Sequence, residues 1–130
     1  MKKQNPLLNQ NGFTLVEIIA VLIILGILAA VAVPRYIDLE RNAKIRAVQA
    51  AVSELNGRES LTWADVKISS TGYGTDADVW GRMDTDLGDD YTGFSPSAAT
   101  GGTFTFKNES YTVSRDPSTR ARPAVWKLQP

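Results

Sequence analysis

A single carboxylate in an apolar stretch is the feature of this sequence with the clearest chemical meaning. Between Phe13 and Val33, only Thr14 and Glu17 carry polar side chains. As a helix this stretch would be about 30 Å long, close to the thickness of the hydrocarbon core of a bilayer. A carboxylate costs free energy in hydrocarbon. Glu17 therefore needs a chemical role that offsets this cost.

Two simple interpretations of the stretch leave Glu17 unexplained. A secretory signal peptide would account for the basic Lys2 and Lys3 and for the small residues around Ala30, but its apolar part normally spans about 7–15 residues. A plain membrane anchor fits the length, and the positive-inside rule would keep its amino terminus in the cytoplasm. An anchor gains nothing from a carboxylate.

Cleavage of the chain between Gly12 and Phe13 would give the carboxylate a partner. Phe13 would then carry a new amino group close to Glu17 in the sequence. In apolar surroundings an ammonium group and a carboxylate attract each other strongly, either within one chain or between neighbouring chains. Between neighbours, such a pair would set the axial register of a helical polymer.

The residues around this bond resemble the prepilin cleavage and methylation motif of type IV pilins and type II secretion pseudopilins. The resemblance begins in the run Gly12-Phe13-Thr14-Leu15-Val16-Glu17, extends through Tyr36 and fades beyond Leu55. It implies that a membrane prepilin peptidase cuts after Gly12 and N-methylates Phe13. It also implies that Glu17 recognises the amino terminus of a neighbouring subunit. The leader, residues 1–12, contains no acidic residue, as is usual in the family.

The apolar stretch is expected to continue into an amphipathic helix. Apolar residues recur at three- and four-residue spacing at Ile45, Val48, Val52 and Leu55. We expect a helix from about Thr14 to about Leu55, bent near Pro34, which cannot donate a backbone hydrogen bond. Two interpretations of the section from Gly26 to Pro34 stay open. It marks the end of the membrane helix, or it bends or melts during assembly.

The rest of the chain predicts a small α+β domain. Asn56-Gly57 is a typical helix stop, and a short second helix is expected over Glu59–Lys67. Ser69–Asp90 is predicted to be a loop, because it is rich in Gly, Ser, Thr and Asp. A hairpin is expected from Gly102–Phe106 and Tyr111–Val113 around the turn Lys107–Ser110. Ala124–Leu128 is a third candidate strand, and Tyr91–Phe94 is a weaker one; the expected sheet core is Phe104, Phe106, Val113, Val125, Trp126 and Leu128.

The predicted fold is a long N-terminal helix packed on a small antiparallel sheet. Its expected divisions are a leader at 1–12, a transmembrane and assembly helix at 13–34, an amphipathic stalk at 35–66 and a loop-and-sheet domain at 67–130.

Two charged clusters are candidate sites outside the helix. Asp84, Asp86 and Asp89 belong to an acidic loop that could bind calcium through several oxygen atoms, although the spacing matches no EF-hand and a solvated loop is the alternative. The basic stretch of Arg115, Arg120 and Arg122 is expected to be surface, with no nucleic acid as partner. No other cofactor is expected.

Composition argues against an enzyme. The chain has 14 basic and 14 acidic side chains and contains neither histidine nor cysteine. The commonest general base and metal ligand is therefore missing. The leading hypothesis is a structural subunit of a type IV pilus-like fibre, with Phe13, Glu17 and Pro34 as assembly residues. The expected partners are other pilins, the prepilin peptidase and an inner-membrane assembly platform. The subunit would be an inner-membrane protein first and part of a periplasmic or cell-surface fibre later. A secretion pseudopilin and an adhesive minor pilin are the alternatives.

Overall fold

The computed structural model describes residues 12–130. The sequence expectations for the leader, including Lys2 and Lys3, lie outside the described residues apart from Gly12. The chain divides into two compact units, Met1–Glu40 and Arg41–Pro130.

The first helix, α1, spans Leu15–Ile68 without interruption. The stop predicted at Asn56-Gly57 and the separate helix over Glu59–Lys67 are therefore wrong. Tertiary contacts explain the continuation. The Asn56 side chain donates to the carbonyls of Val52 (3.1 Å) and Trp126 (3.0 Å) and accepts from the Trp126 N–H (2.8 Å). These bonds fix the helix where Gly57 would otherwise weaken it by about 1 kcal/mol relative to alanine.

A second helix lies within the segment predicted to be a loop. This helix, α2, spans Asp76–Trp80 and has Thr75 at its N-cap. The Asp78 carboxylate accepts a hydrogen bond from the Thr75 N–H at 2.7 Å, which satisfies a backbone donor at the helix start. The Thr-x-x-Asp spacing at its start is typical of a helix N-terminus. The helix was nevertheless missed, because it is short and lies among turn-forming residues.

Four antiparallel strands in the order β1-β2-β3-β4 form the sheet, which confirms the α+β fold. Their bounds are Tyr91–Thr92, Gly102–Phe106, Glu109–Asp116 and Val125–Leu128. The hairpin turn is tighter than the predicted turn Lys107–Ser110. Only Lys107 and Asn108 lie between β2 and β3, with φ of 48° and 64°. A two-residue turn with positive φ at both positions matches the twist of a hairpin.

The core of the unit Arg41–Pro130 lies between α1 and the inner face of the sheet. Val48, Val52 and Leu55 of the predicted apolar face are buried there. Four of the six expected sheet residues join them, Phe104, Phe106, Val113 and Trp126. Val125 and Leu128 are half-buried. The period of the helix and the alternation of the strands therefore identified the packing faces.

A buried ion cluster crosses this core. Arg115 on β3 is 3% exposed, and Glu59 on α1 is fully buried. The Arg115 guanidinium donates to both Glu59 oxygens (2.7 and 3.2 Å) and to both Asp76 oxygens (2.7 and 2.9 Å). Trp126 Nε1 also donates to Glu59, at 3.0 Å. The expectation that Arg115 belongs to a basic surface stretch is wrong, because two carboxylates hold it inside the unit.

The contacts within the ion cluster shift the pKa values of Asp76 and Arg115. Burial by itself would raise the pKa of Asp76, but hydrogen bonds from Arg115 and Ser118 outweigh it and lower the pKa below its ordinary value. The same carboxylates raise the pKa of Arg115, although burial opposes this. The guanidinium also lies over Trp80, with Cζ 4.9 Å from the ring centroid. Arg115 therefore stays charged and joins α1, α2 and β3.

Candidate processing and assembly segment

Gly12, Phe13 and Thr14 precede α1 and belong to no helix or strand. Gly12 and Phe13 are both exposed, and Phe13 is 84% exposed. A side chain built at Gly12 would meet no atom within 4 Å. The predicted scissile bond between Gly12 and Phe13 therefore lies in exposed backbone outside regular secondary structure, where proteolytic cleavage is favoured.

Glu17 caps its own helix. The Glu17 carboxylate accepts a hydrogen bond from the Thr14 N–H at 2.7 Å, and the Thr14 hydroxyl accepts one from the Glu17 N–H at 3.2 Å. This reciprocal pair is a capping box, in which a Thr and a Glu three residues later satisfy backbone donors at a helix start. The Thr-x-x-Glu spacing of this cap is visible in the sequence, although the role predicted for Glu17 from the sequence was in assembly alone.

The apolar side chains that follow Glu17 are exposed. Every large apolar residue from Ile18 to Val33 is at least 46% exposed. By its length and composition, α1 is long and apolar enough to cross a membrane. Water is a poor solvent for such a surface. This part of α1 therefore requires an apolar environment from outside the chain.

Pro34 lies inside α1. The helix is continuous through both Gly26 and Pro34, so neither residue ends it in this structure. Pro34 has no N–H to donate to a preceding carbonyl, and Gly26 is a weak helix former. This section of α1 therefore lacks one helical hydrogen bond, at Pro34, and contains a residue of low helix propensity, Gly26. A role for Pro34 in assembly stays a prediction.

The acidic residues considered for calcium are spread along the loop between α2 and β1. Among residues 12–130, no three acidic side chains are arranged so that they could hold a metal ion. Asp84, Asp86 and Asp89 are exposed. Asp84 and Asp86 accept backbone hydrogen bonds within the loop, from the N–H groups of Asp86 and Gly88. Calcium binding stays a prediction, and the geometry uses two of these carboxylates to form turns.

The other two arginines of the basic stretch, Arg120 and Arg122, each contact a different part of the unit. Arg122 donates to the Asp116 carboxylate at 2.8 Å. Arg120 donates to the Tyr73 carbonyl at 3.3 Å. With Arg115 buried, the three arginines do not form a continuous basic surface.

Comparison with known proteins agrees with the geometry of the N-terminal segment. Residues 7–33 match the family described as the prokaryotic N-terminal methylation motif. The chain is 37% identical over 57 residues to the type IV narrow pilus major component PilA5 of Thermus thermophilus, which covers 44% of this chain and 49% of that relative. It is 44% identical over 46 residues to a fimbrial protein of Pseudomonas aeruginosa, covering 35% of this chain and 30% of the relative.

The similarity is confined to part of each chain. This chain spans about half the length of the Thermus relative and less than a third of the Pseudomonas one. No solved structure matches it significantly.

The motif and the relatives point to the same family. The chain carries the prokaryotic N-terminal methylation motif at residues 7–33 and is similar, over less than half of its length, to a type IV pilus component and to a fimbrial protein. The resemblance identified from Gly12 to Glu17 is thereby confirmed.

Proposed function

We propose that this subunit is a structural component of a type IV pilus-like fibre and that it polymerises through the apolar part of α1. The observation that carries the proposal is the exposed apolar surface from Ile18 to Val33, with the carboxylate of Glu17 at its N-terminal end. Such a surface is stable in lipid and, after extraction, among the same helices of neighbouring subunits. Lipid tails and apolar side chains solvate it almost equally well, so exchange between the two environments costs little.

Helices that leave lipid for a fibre need a polar contact to fix their register. Helix association without a hydrophobic driving force relies on close packing and on buried polar pairs. Cleavage after Gly12 would give Phe13 an ammonium group, and a neighbouring Glu17 is the carboxylate available to neutralise it. The capping box supports this role, because Thr14 holds the carboxylate at the very start of the helix.

Two variants distinguish the proposed assembly role of Glu17 from its capping role. Glu17→Gln removes the charge but keeps an acceptor that suits a capping box. Thr14→Val removes the hydroxyl of the cap but keeps the carboxylate. We expect both proteins to enter the membrane and to be processed. Fibre incorporation should fall sharply in Glu17→Gln and much less in Thr14→Val, as measured by immunoblots of sheared fibres. Normal fibres from Glu17→Gln would refute the amine–carboxylate pair.

Processing is tested at the scissile bond itself. Gly12→Lys places a long charged side chain beside the bond to Phe13, and we expect a prepilin peptidase to leave the chain uncut. The uncut chain migrates more slowly on a gel, and mass spectrometry of wild-type fibres should find a methylated Phe13. Full-length wild-type chains in the fibre would contradict cleavage at this bond.

The proposed partners are other pilins in the fibre, the prepilin peptidase and an inner-membrane assembly platform. The subunit would first span the inner membrane and later reside in a periplasmic or cell-surface fibre. The similarity to a pilus component and to a fimbrial protein favours a pilus over a secretion pseudopilus. No residue is assigned a catalytic role.

A further inference from the structure

The loop from Met83 to Asp90 connects α2 to β1 and covers part of the core. Met83 and Leu87 pack against the buried cluster around Leu55 and Trp126. In the sequence, Asp84 and Asp86 lie between Met83 and Leu87, and both aspartates are exposed. Apolar residues that contact the core therefore alternate with exposed carboxylates along this loop. Its backbone needs a further interaction to keep it against the core.

Oxygen atoms of this loop converge on the guanidinium of Arg58, which projects from α1. Arg58 Nη1 donates to the main-chain carbonyl of Asp86 at 2.6 Å and to that of Asp84 at 3.4 Å. The same nitrogen lies 3.3 Å from the Asp84 carboxylate. Arg58 Nε is fixed from the other side by Glu54 on the preceding helical turn, at 2.9 Å. Main-chain carbonyls and carboxylates around one positive centre are the oxygen set that cation sites use.

The remaining carboxylate oxygens shape the loop itself. Asp84 Oδ1 accepts from the Asp86 N–H at 2.9 Å, and Asp86 Oδ1 accepts from the Gly88 N–H at 2.8 Å. Both are turns of the Asx type, in which a side chain replaces a backbone acceptor. They orient the carbonyls of Asp84 and Asp86 toward Arg58. Gly88, at φ of 88°, allows the chain to turn back toward β1.

We infer that Arg58 is the cation that orders the Met83–Asp90 loop, so that the loop needs no bound metal ion to keep its fold. Arg58 Nη1 contacts two carbonyls and a carboxylate of the loop while Nε is held by Glu54, and an ammonium group has no second nitrogen with which to keep both sets of contacts. The loop then keeps its fold at any calcium concentration. This inference concerns the unit Arg41–Pro130 and does not depend on fibre assembly.

Amide hydrogen exchange of the full chain in detergent tests the role of Arg58. The amides of Asp86 and Gly88 report the loop, and those of β2 and β3 report whether a variant is folded. We expect Arg58→Ala to speed exchange of the loop amides by about tenfold while β2 and β3 stay protected. The matched control is Arg82→Ala. Arg82 pairs with Asp65 at 3.3 Å without binding a carbonyl, and its loss should leave the loop unchanged.

A calcium series completes the test. Wild-type loop exchange should be the same in millimolar calcium and in excess chelator. Slower wild-type exchange with calcium would overturn the inference, because a metal would then be the ordering cation. Unchanged loop exchange in Arg58→Ala would overturn it as well. If Arg58→Ala does not fold, Arg58→Lys replaces it, with loop exchange expected to be faster than in wild type by a smaller factor, and equal exchange would be contrary evidence.

Discussion

Glu59 and Glu17 lie on the same helix, but their negative charges have different surroundings. Glu59 is fully buried and receives hydrogen bonds from Arg115 on β3 and Trp126 on β4. Glu17 lies at the start of the apolar part of α1, where the described contacts of its carboxylate are with Thr14 in the same helical turn. One carboxylate is neutralised by distant parts of its own chain, and the other has a local cap without a cationic partner in the described residues.

The difference separates folding from assembly. A buried carboxylate with a guanidinium partner is part of the fold, and removing the partner exposes the full cost of a buried charge. A carboxylate in an apolar surface contributes nothing comparable to the folded unit. In the proposed assembly, its charge would become important when lipid or other subunits surround it. Substitutions at the two glutamates should therefore affect different measurements.

The largest expected effect is the loss of Arg115. Arg115→Met keeps much of the apolar stem but leaves Glu59 and Asp76 without their cation. Breaking a buried ion pair in this way costs about 3–5 kcal/mol of unfolding free energy. All three tryptophans lie in the unit Arg41–Pro130, so denaturant unfolding followed by tryptophan fluorescence reports this unit.

The matched control for Arg115→Met is Arg122→Met. Arg122 pairs with Asp116 at 2.8 Å, and both side chains are about half exposed, at 45% and 56%. Exposed pairs contribute about 0–1 kcal/mol, so the control should unfold close to wild type. Equal destabilisation by the two changes would show that burial of Arg115 is not what makes the cluster important.

The same chemical change at the two glutamates sharpens the comparison. Glu59→Gln replaces an acceptor with a donor opposite Arg115 or Trp126, which leaves a buried donor unsatisfied at about 1–3 kcal/mol. Glu17→Gln should leave the fluorescence-detected transition where it is in wild type, while it reduces fibre incorporation. A shift of that transition by Glu17→Gln, or normal stability of Glu59→Gln, would remove the distinction between the two sites.

Sequence patterns predicted the elements with clear periodicity and missed those that depend on distant contacts. The apolar face from Val48 to Leu55 and the alternation from Gly102 to Phe106 identified the core. The stop predicted at Asn56-Gly57 failed because Asn56 pairs with the backbone of Trp126, far away in sequence. Arg115 was wrongly assigned to the surface for the same reason. Its partners Glu59 and Asp76 are far from it in the sequence, and the neighbouring residues do not indicate them.

The N-terminal motif could be recognised from the sequence because its signal is local. Gly12, Phe13 and Glu17 lie within six consecutive residues, and the family match over residues 7–33 needs no tertiary structure. Even there, the capping box between Thr14 and Glu17 was overlooked, although its spacing is visible in the sequence. The acidic loop shows the reverse case. Its aspartates suggested a metal, whereas their contacts with Arg58 and with the loop backbone appear only in the folded chain.

The smallest expected effect is the pH dependence that Asp76 adds to the ion cluster. The pKa of Asp76 in the folded chain is below its ordinary value, so the folded state holds this carboxylate ionised more tightly than the unfolded state does. The resulting stabilisation is complete above the ordinary pKa and is lost as pH falls through the lowered one. Asp76→Asn lacks this pH-dependent stabilisation. The difference in unfolding midpoint between wild type and variant should therefore shrink as the pH falls from about 5 to about 3. Glu17→Gln, measured in the same series, should follow wild type at every pH, because Glu17 lies outside the unit that the tryptophans report. A constant difference between wild type and Asp76→Asn across this range would mean that the variant acts through its hydrogen bonds to Ser118 and Arg115 and not through the charge of Asp76.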